Sequence, residues 1–167
     1  MIEVRIDDLA FFKGAALVRP VNADLGATTP LLRRLEAAAG PALAAQLRLQ
    51  EPLPVGAAVV TGAGDLGVDL IVHAVVSSET EPVTAAGVRR ALTSAMQRVV
   101  DWQMDDIGIA PFGLGAGNLD IEESAGIMAD VIAGHMQRAR FPRRVCVVAE
   151  SPLEEEVLSG AFGRITR

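Results

Sequence analysis

The chain has 167 residues, half of them hydrophobic, a formal net charge of −6, one cysteine, one tryptophan and no tyrosine. That length suffices for one domain with a real core, and a single domain spanning residues 1–167 is expected. An acidic balance without a basic face excludes a nucleic-acid scaffold. No run approaches the ~18 apolar residues of a membrane span.

The N-terminus, MIEVRIDD, lacks the basic-then-apolar build of a signal peptide. The lone Cys146 excludes an intramolecular disulfide and most thiolate metal sites. Together these features point to the cytoplasm. Ile2–Ile6 alternates apolar and polar residues, as a half-exposed edge strand does. Ala15–Val21 is an apolar run containing Arg19 and Pro20, consistent with an inner strand. Asn22–Thr29 has turn chemistry. Thr29-Pro30 then predicts a helix N-cap with proline at the first helical position. That helix stops at Gly40-Pro41.

Pro41–Gln50 reads as a second short helix, Pro52-Leu-Pro54 as a rigid connector and Gly56–Thr61 as a short strand. Val68–Val76 is the strongest strand signal, and its near-continuous apolar character predicts burial on both faces. His73 within it is expected to be a hydrogen-bonded core residue. Thr84 caps a long amphipathic helix with Val88, Ala91, Leu92, Ala95, Met96, Val99 and Val100 on one face. Ile107–Phe112 reads as a buried strand, and Ile121–Met136 as a helix with Ala125, Met128, Ala129, Ile132 and Met136 inward. Arg144–Ala149 is a last buried strand, and Pro152 starts a terminal helix reaching Phe162. Short strands alternating with helices predict a largely parallel sheet between helical layers, with ligands at the carboxyl ends of the strands.

The stretch with most chemical content is Gly113-Leu-Gly-Ala-Gly-Asn118, a glycine-rich turn between strand and helix. Glycine lets backbone amides approach an anion closely, and a helix start offers the positive end of a dipole. The turn has neither the spacing of a dinucleotide fingerprint nor the Gly-Lys-Ser/Thr ending of a P-loop. Asp120, with Glu123 three residues on, is expected to cap the following helix. The pairs Asp7-Asp8 and Asp105-Asp106 read as solvated turns rather than a magnesium site, because adjacent side chains diverge. Cys146, inside a buried strand, reads as an inert apolar filler. Arg138, Arg140, Arg143 and Arg144 are expected to offset the negative end of the helix they follow. No Ser/His/Asp or Cys/His set is placed for nucleophilic catalysis.

In this order the segments resemble the macro domain, the ADP-ribose-binding α/β/α module. Asp7-Asp8-Leu9 is similar to the family's Gly-Asp-Ile after the first strand. Arg19-Pro-Val-Asn22 stands where the family has Asn-Ala-Ala-Asn, and Ala37-Ala-Ala-Gly-Pro41 is similar to the end of the helix that follows. Leu70-Ile-Val-His73 looks like the family's Val-Ile-His. Ala110–Ala125 looks like the second phosphate loop, Pro-x-x-Gly-Thr-Gly-x-Gly-Gly, with its helix. The resemblance implies an α/β fold: a three-layer α/β/α sandwich on a mixed, largely parallel sheet. It further implies that Asp8 reads the adenine amino group, and that Asn22 with Gly113, Leu114, Gly115, Ala116, Gly117 and Asn118 holds the rest of an ADP-ribose-like ligand.

The departures concern the other half of that site. The first glycine loop has become Gly26-Ala-Thr-Thr-Pro30, whose Cβ atoms and missing proline N–H wrap an anion less closely. Leu31 and Leu32 stand where hydrolytic members place a polar group, and Ala149 replaces the adenine-stacking aromatic. A lost stack costs ~1–3 kcal/mol. Arg19 is expected to offer a phosphate a charged partner.

The expected function is therefore binding of ADP-ribose or a related nucleotide diphosphate, free or on an ADP-ribosylated protein. No catalytic residue, cofactor or metal is expected, and neither a membrane nor a nucleic-acid partner; a homo-oligomer stays open. Two alternatives remain. One is a hydrolase of ADP-ribosyl groups or of ADP-ribose phosphates. The other is a structural role in which Leu31, Leu32 and Glu51–Val55 face a partner chain. The amino-terminal domain of leucine aminopeptidases is a further, related resemblance.

Overall fold

The computed structural model describes residues 1–115 and 118–165. In chain order it contains β1 (Ile2–Ile6), a 3-10 turn at Leu9–Phe11, β2 (Gly14–Asn22), α1 (Pro30–Ala39), α2 (Pro41–Arg48), β3 (Ala58–Gly62) and β4 (Val68–Ser77). It continues with α3 (Ala85–Asp101), β5 (Asp106–Ile109), α4 (Ile121–Arg138), β6 (Arg144–Ala149) and α5 (Pro152–Ile165). The six strands form one sheet in the order β1-β6-β5-β2-β4-β3. All pairings are parallel except β3 with β4. This is the expected mixed, mostly parallel sheet between two helical layers, and β1 is the expected edge.

Strand alternation divides the core in two. Ala16 and Val18 of β2, Val72 and Ala74 of β4, Ile107 and Ile109 of β5, and Val145 and Val147 of β6 face α3, α4 and α5. Leu17, Ile71, Cys146 and Val148 face the opposite way and pack with Leu32, Leu35 and Ala39 of α1 and Leu43 of α2. Leu31 and Leu32 are both buried, so neither is available to a partner chain.

The helix boundaries follow the local chemistry. The Thr29 hydroxyl accepts from the Leu32 amide with Pro30 at the first position, and the Thr84 hydroxyl accepts from the Gly87 amide. Two elements end earlier than expected. Helix α2 ends at Arg48 rather than Gln50, and β5 ends at Ile109 rather than Phe112. Pro111 lacks the N–H a ladder needs, and the Phe112 amide turns instead to Sδ of Met128. On α3, Val100 stays partly exposed while its neighbours on that face are buried. Of the four arginines expected to offset a helix end, only Arg138 lies in the last turn of α4. Arg143 and Arg144 instead pair with Asp105 and Asp106.

The α1-side face of the sheet is completed by Phe12, whose ring lies on Gly108 of β5. A Cβ added at Gly108 would sit 2.7 Å from Cγ of that ring, too close for the ring to yield without moving. Gly108→Ala is therefore expected to lower stability by about 1–3 kcal/mol through overpacking. In a denaturant-unfolding double-mutant cycle, Phe12→Leu should cost less in the Gly108→Ala background than alone.

Candidate functional site

The carboxyl ends of the parallel strands bring together the loops after β1, β6, β5 and β2, the usual ligand edge of such a sheet. The loop after β5 turns on two glycines. Gly113 (φ +83°) and Gly115 (φ +136°) adopt conformations that L side chains rarely take. The Leu119 amide donates to the Gly113 carbonyl at 3.0 Å and the Asn118 amide to the Gly115 carbonyl at 3.1 Å, while Asn118 Nδ2 donates to the Leu114 carbonyl. Ser124 of α4, fully buried, donates its hydroxyl to the Phe112 carbonyl and ties the base of the loop to the helix. Among the described residues, the amides of Leu114 and Gly115 donate to no protein acceptor. Ala116 and Gly117, expected in the same site, lie outside the described residues.

Asp120 caps α4 as expected, its carboxylate accepting from the Glu123 amide at 2.8 Å, with Glu122 and Glu123 in the first turn. Three carboxylates at the positive end of the helix leave that end unfavourable for a phosphate. The anion-competent donors here belong to the turn.

The loop after β2 is built differently. The Asn22 amide donates to the Gly26 carbonyl, the Leu25 amide to the Asn22 carbonyl, the Ala23 amide to the Ser77 carbonyl and the Gly26 amide to the Asp24 carboxylate. Its backbone donors are thus largely engaged within the protein. The Asn22 Oδ1 accepts from the Ser77 hydroxyl at 2.7 Å, which fixes the side chain. Beside it opens a cleft of about 550 Å³ lined by Asn22, Asp24, Pro52, Ser78, Glu79 and Thr80, among others.

The two loops meet at Thr28 and Gly115. A Cβ at Gly115 would lie 3.5 Å from the Thr28 carbonyl oxygen and 3.0 Å from Asn118 Nδ2. Thr29 is engaged as the α1 cap and Leu32 belongs to the core. The Thr28 hydroxyl, by contrast, is buried without any hydrogen-bond partner. An orphaned buried hydroxyl is costly unless something else completes it. Sequence patterning offered no sign of it beyond the threonines of Gly26-Ala-Thr-Thr-Pro30.

Asp8 lies at the β1 end of the same edge. Its Oδ1 accepts from the Ala10 amide and caps the 3-10 turn. Glu150 follows Ala149 at the end of β6, and its carboxyl is held above its usual range by burial first, then by the charges of Glu154 and Asp8, against the opposing pull of Arg34. Cys146 is buried and its thiol is pushed up to about 11, chiefly by burial, so it is inert at neutral pH as expected.

Arg19 is the expectation the structure overturns. Its side chain is fully buried and points into the α1 side of the sheet rather than toward a ligand. Nε donates to Nδ1 of His73 at 2.9 Å, one terminal nitrogen donates to the Glu36 carboxylate at 2.6 Å, and the other to the Leu25 carbonyl at 3.1 Å. The physical reason is register: Arg19 sits directly opposite His73, two residues past Leu17 on the same inward face. Its charge is answered by Glu36 and is not available to a phosphate.

His73 is fully buried, as expected of a core histidine, and its other nitrogen lies 2.8 Å from the Thr61 hydroxyl. Because Arg19 can only donate, Nδ1 must accept, so the proton of the neutral ring sits on Nε2 and is given to Thr61. Thr61 in turn donates to the Gly62 carbonyl. Burial first, and then the Arg19 charge, hold the His73 pKa well below its ordinary 6.5.

A family model described as the macro domain matches residues 18–128. The chain is 25% identical over 150 residues to an uncharacterized protein of Aeropyrum pernix, covering 89% of this chain and 78% of that one. It is 22% identical over 161 residues to an uncharacterized protein of Mycobacterium tuberculosis, covering 96% of this chain but 44% of the relative, so it spans less than half that protein's length. Among solved structures, a variant of the Oceanobacillus iheyensis macrodomain with ADPR superposes with a TM-score of 0.88 at 20% identity, over 99% of this chain and 93% of that one. Among the described residues, no helix is long and apolar enough to cross a membrane.

The His73 environment sets a pH response. An unfolded chain takes up a proton on this histidine near 6.5 whereas the folded one resists it, so stability is fully present above 6.5 and falls as the pH drops below it. Urea unfolding of the wild type should lose up to about 1.4 kcal/mol per pH unit from this group below that value. His73→Asn should lack this increment.

Proposed function

The chain belongs to the macro domain family, and from that premise we propose that it binds ADP-ribose or a related nucleoside diphosphate across the carboxyl edge of its sheet. The observation that carries this reading is the meeting point of the two loops, where the Thr28 carbonyl approaches Gly115, the Thr28 hydroxyl is buried without a partner, and the Leu114 and Gly115 amides find no acceptor among the described residues. A diphosphate is a ligand chemistry that accepts from backbone amides and hydroxyls of this kind. The similar macrodomain whose structure holds ADPR supports the choice of ligand.

In this reading the diphosphate rests on the turn at Gly113–Gly115 with Asn118 bracing it, and the adenine lies toward Asp8. Asn22, fixed by Ser77, faces the ribose beyond the diphosphate. The exocyclic amino group of adenine donates, which suits an acceptor such as the free oxygen of Asp8. What supports binding rather than hydrolysis is that Leu31 and Leu32 at the start of α1 are apolar and buried.

Isothermal titration with ADP-ribose tests the proposal. Binding is expected for the wild type and should be abolished by Gly115→Val, which forces a β-branched residue into a φ of +136°. Thr28→Val should weaken binding about tenfold, the worth of one hydrogen bond to a charged group. Absence of both heat and a thermal shift for the wild type at millimolar ADP-ribose overturns the reading.

A further inference from the structure

We propose that Arg19 is a positioning residue for the ligand edge: its buried guanidinium holds the β2–α1 loop in shape, doing with a side chain what a run of glycines does with backbone conformation. The loop needs such a hold. Leu25 sits at φ +66°, a left-handed conformation that a branched side chain adopts only when its surroundings enforce it. Its side chain is buried against Val21 and Val75. Its carbonyl is the oxygen that receives one arm of Arg19.

The other two donors of the fork prevent that arm from swinging. Nε is fixed to His73 on β4, and the remaining nitrogen to Glu36 on α1. One planar group therefore couples the central strand pair, the helix after the loop and the loop apex. Three of the bonds that shape the loop, from the Asn22 amide to the Gly26 carbonyl, the Leu25 amide to the Asn22 carbonyl and the Gly26 amide to the Asp24 carboxylate, lie within three residues of the braced carbonyl. Thr28, whose carbonyl approaches the second loop at Gly115, follows on the same segment. Arg19 touches no ligand in this arrangement and acts through the loop alone.

Amide hydrogen exchange by NMR separates this role from a general contribution to the fold. In Arg19→Lys, which keeps the charge and loses the fork, the amides of Asn22, Leu25 and Gly26 should exchange about tenfold or more faster, while those of α3 and β6 stay at wild-type rates. The ¹⁵N pattern of the His73 ring should lose its single Nε2–H form. Titration with ADP-ribose should show about tenfold weaker binding, a readout that rests on the nucleotide-binding reading. Uniform acceleration across the protein, or an unchanged loop, overturns the proposal. If Arg19→Lys fails to fold, Glu36→Gln takes its place, since Glu36 keeps 30% of its side chain in water. It should accelerate the same three amides by a smaller factor, and uniform exchange there overturns the proposal equally. If the wild type binds no ADP-ribose, the nucleotide reading fails while the exchange pattern still decides the role of Arg19.

Discussion

Burying the guanidinium of Arg19 is the constraint from which much of the α1 side of this molecule follows. A charge taken fully out of water costs several kcal/mol unless its donors are met and its charge is answered. The register of β2 on β4 sets Arg19 opposite His73, between an apolar cluster containing Leu17 and Ile71 and another containing Val21 and Val75. With apolar walls on both sides, the donors reach only what lies above the sheet. Those partners are the His73 ring, the Glu36 carboxylate on α1 and the Leu25 carbonyl. The tautomer of His73, the rotation of α1 and the path of the loop are thus solutions to one electrostatic problem.

The two loops at the carboxyl edge solve backbone satisfaction in opposite ways. After β2, amides are closed onto carbonyls, a carboxylate and the neighbouring strand, and the conformation is enforced by side chains. After β5, two glycines at positive φ let the chain turn within a few residues, and among the described residues the Leu114 and Gly115 amides find no acceptor. The second arrangement leaves two adjacent backbone donors for an anion. The α4 helix behind it adds little attraction of its own, because Asp120, Glu122 and Glu123 already occupy its positive end.

The fold was largely legible from the sequence because its signals are short-range. Thr29-Pro30, Thr84 and Asp120 each announce a helix start through a hydroxyl or carboxylate that caps it. The apolar run of β4 announces burial on both faces. The end of β5 at Ile109 was less visible, since Pro111 removes a donor only if the partner strand still runs alongside. Within the site, the shape of the Gly113 turn was legible from its glycines. The direction of Arg19 was not, because a charged residue in a loop-proximal strand reads equally as facing a ligand or facing the core. Register decides between them, and register is a property of the strand pair rather than of either strand. The Thr28 hydroxyl was hidden for a similar reason: whether a buried oxygen has a partner depends on a second loop nearly ninety positions away.

In the binding reading proposed here, these differences redistribute the interaction energy along the ligand. In place of an aromatic at Ala149, which ends β6 fully buried, the base end presents the carboxyls of Asp8 and Glu150. Carboxyls reward a donor on the base edge but contribute no stacking, so base identity would be read through one or two hydrogen bonds. The first loop offers a hydroxyl in place of several amides. The diphosphate on the Gly113 turn then carries the largest share, through charge-assisted bonds that every nucleoside diphosphate can make. A site weighted in this way discriminates by the spacing of two phosphates more than by the groups attached to them. Its precision rests on how rigidly the two loops are held apart, and the Arg19 fork and the Ser124 tether fix one loop each.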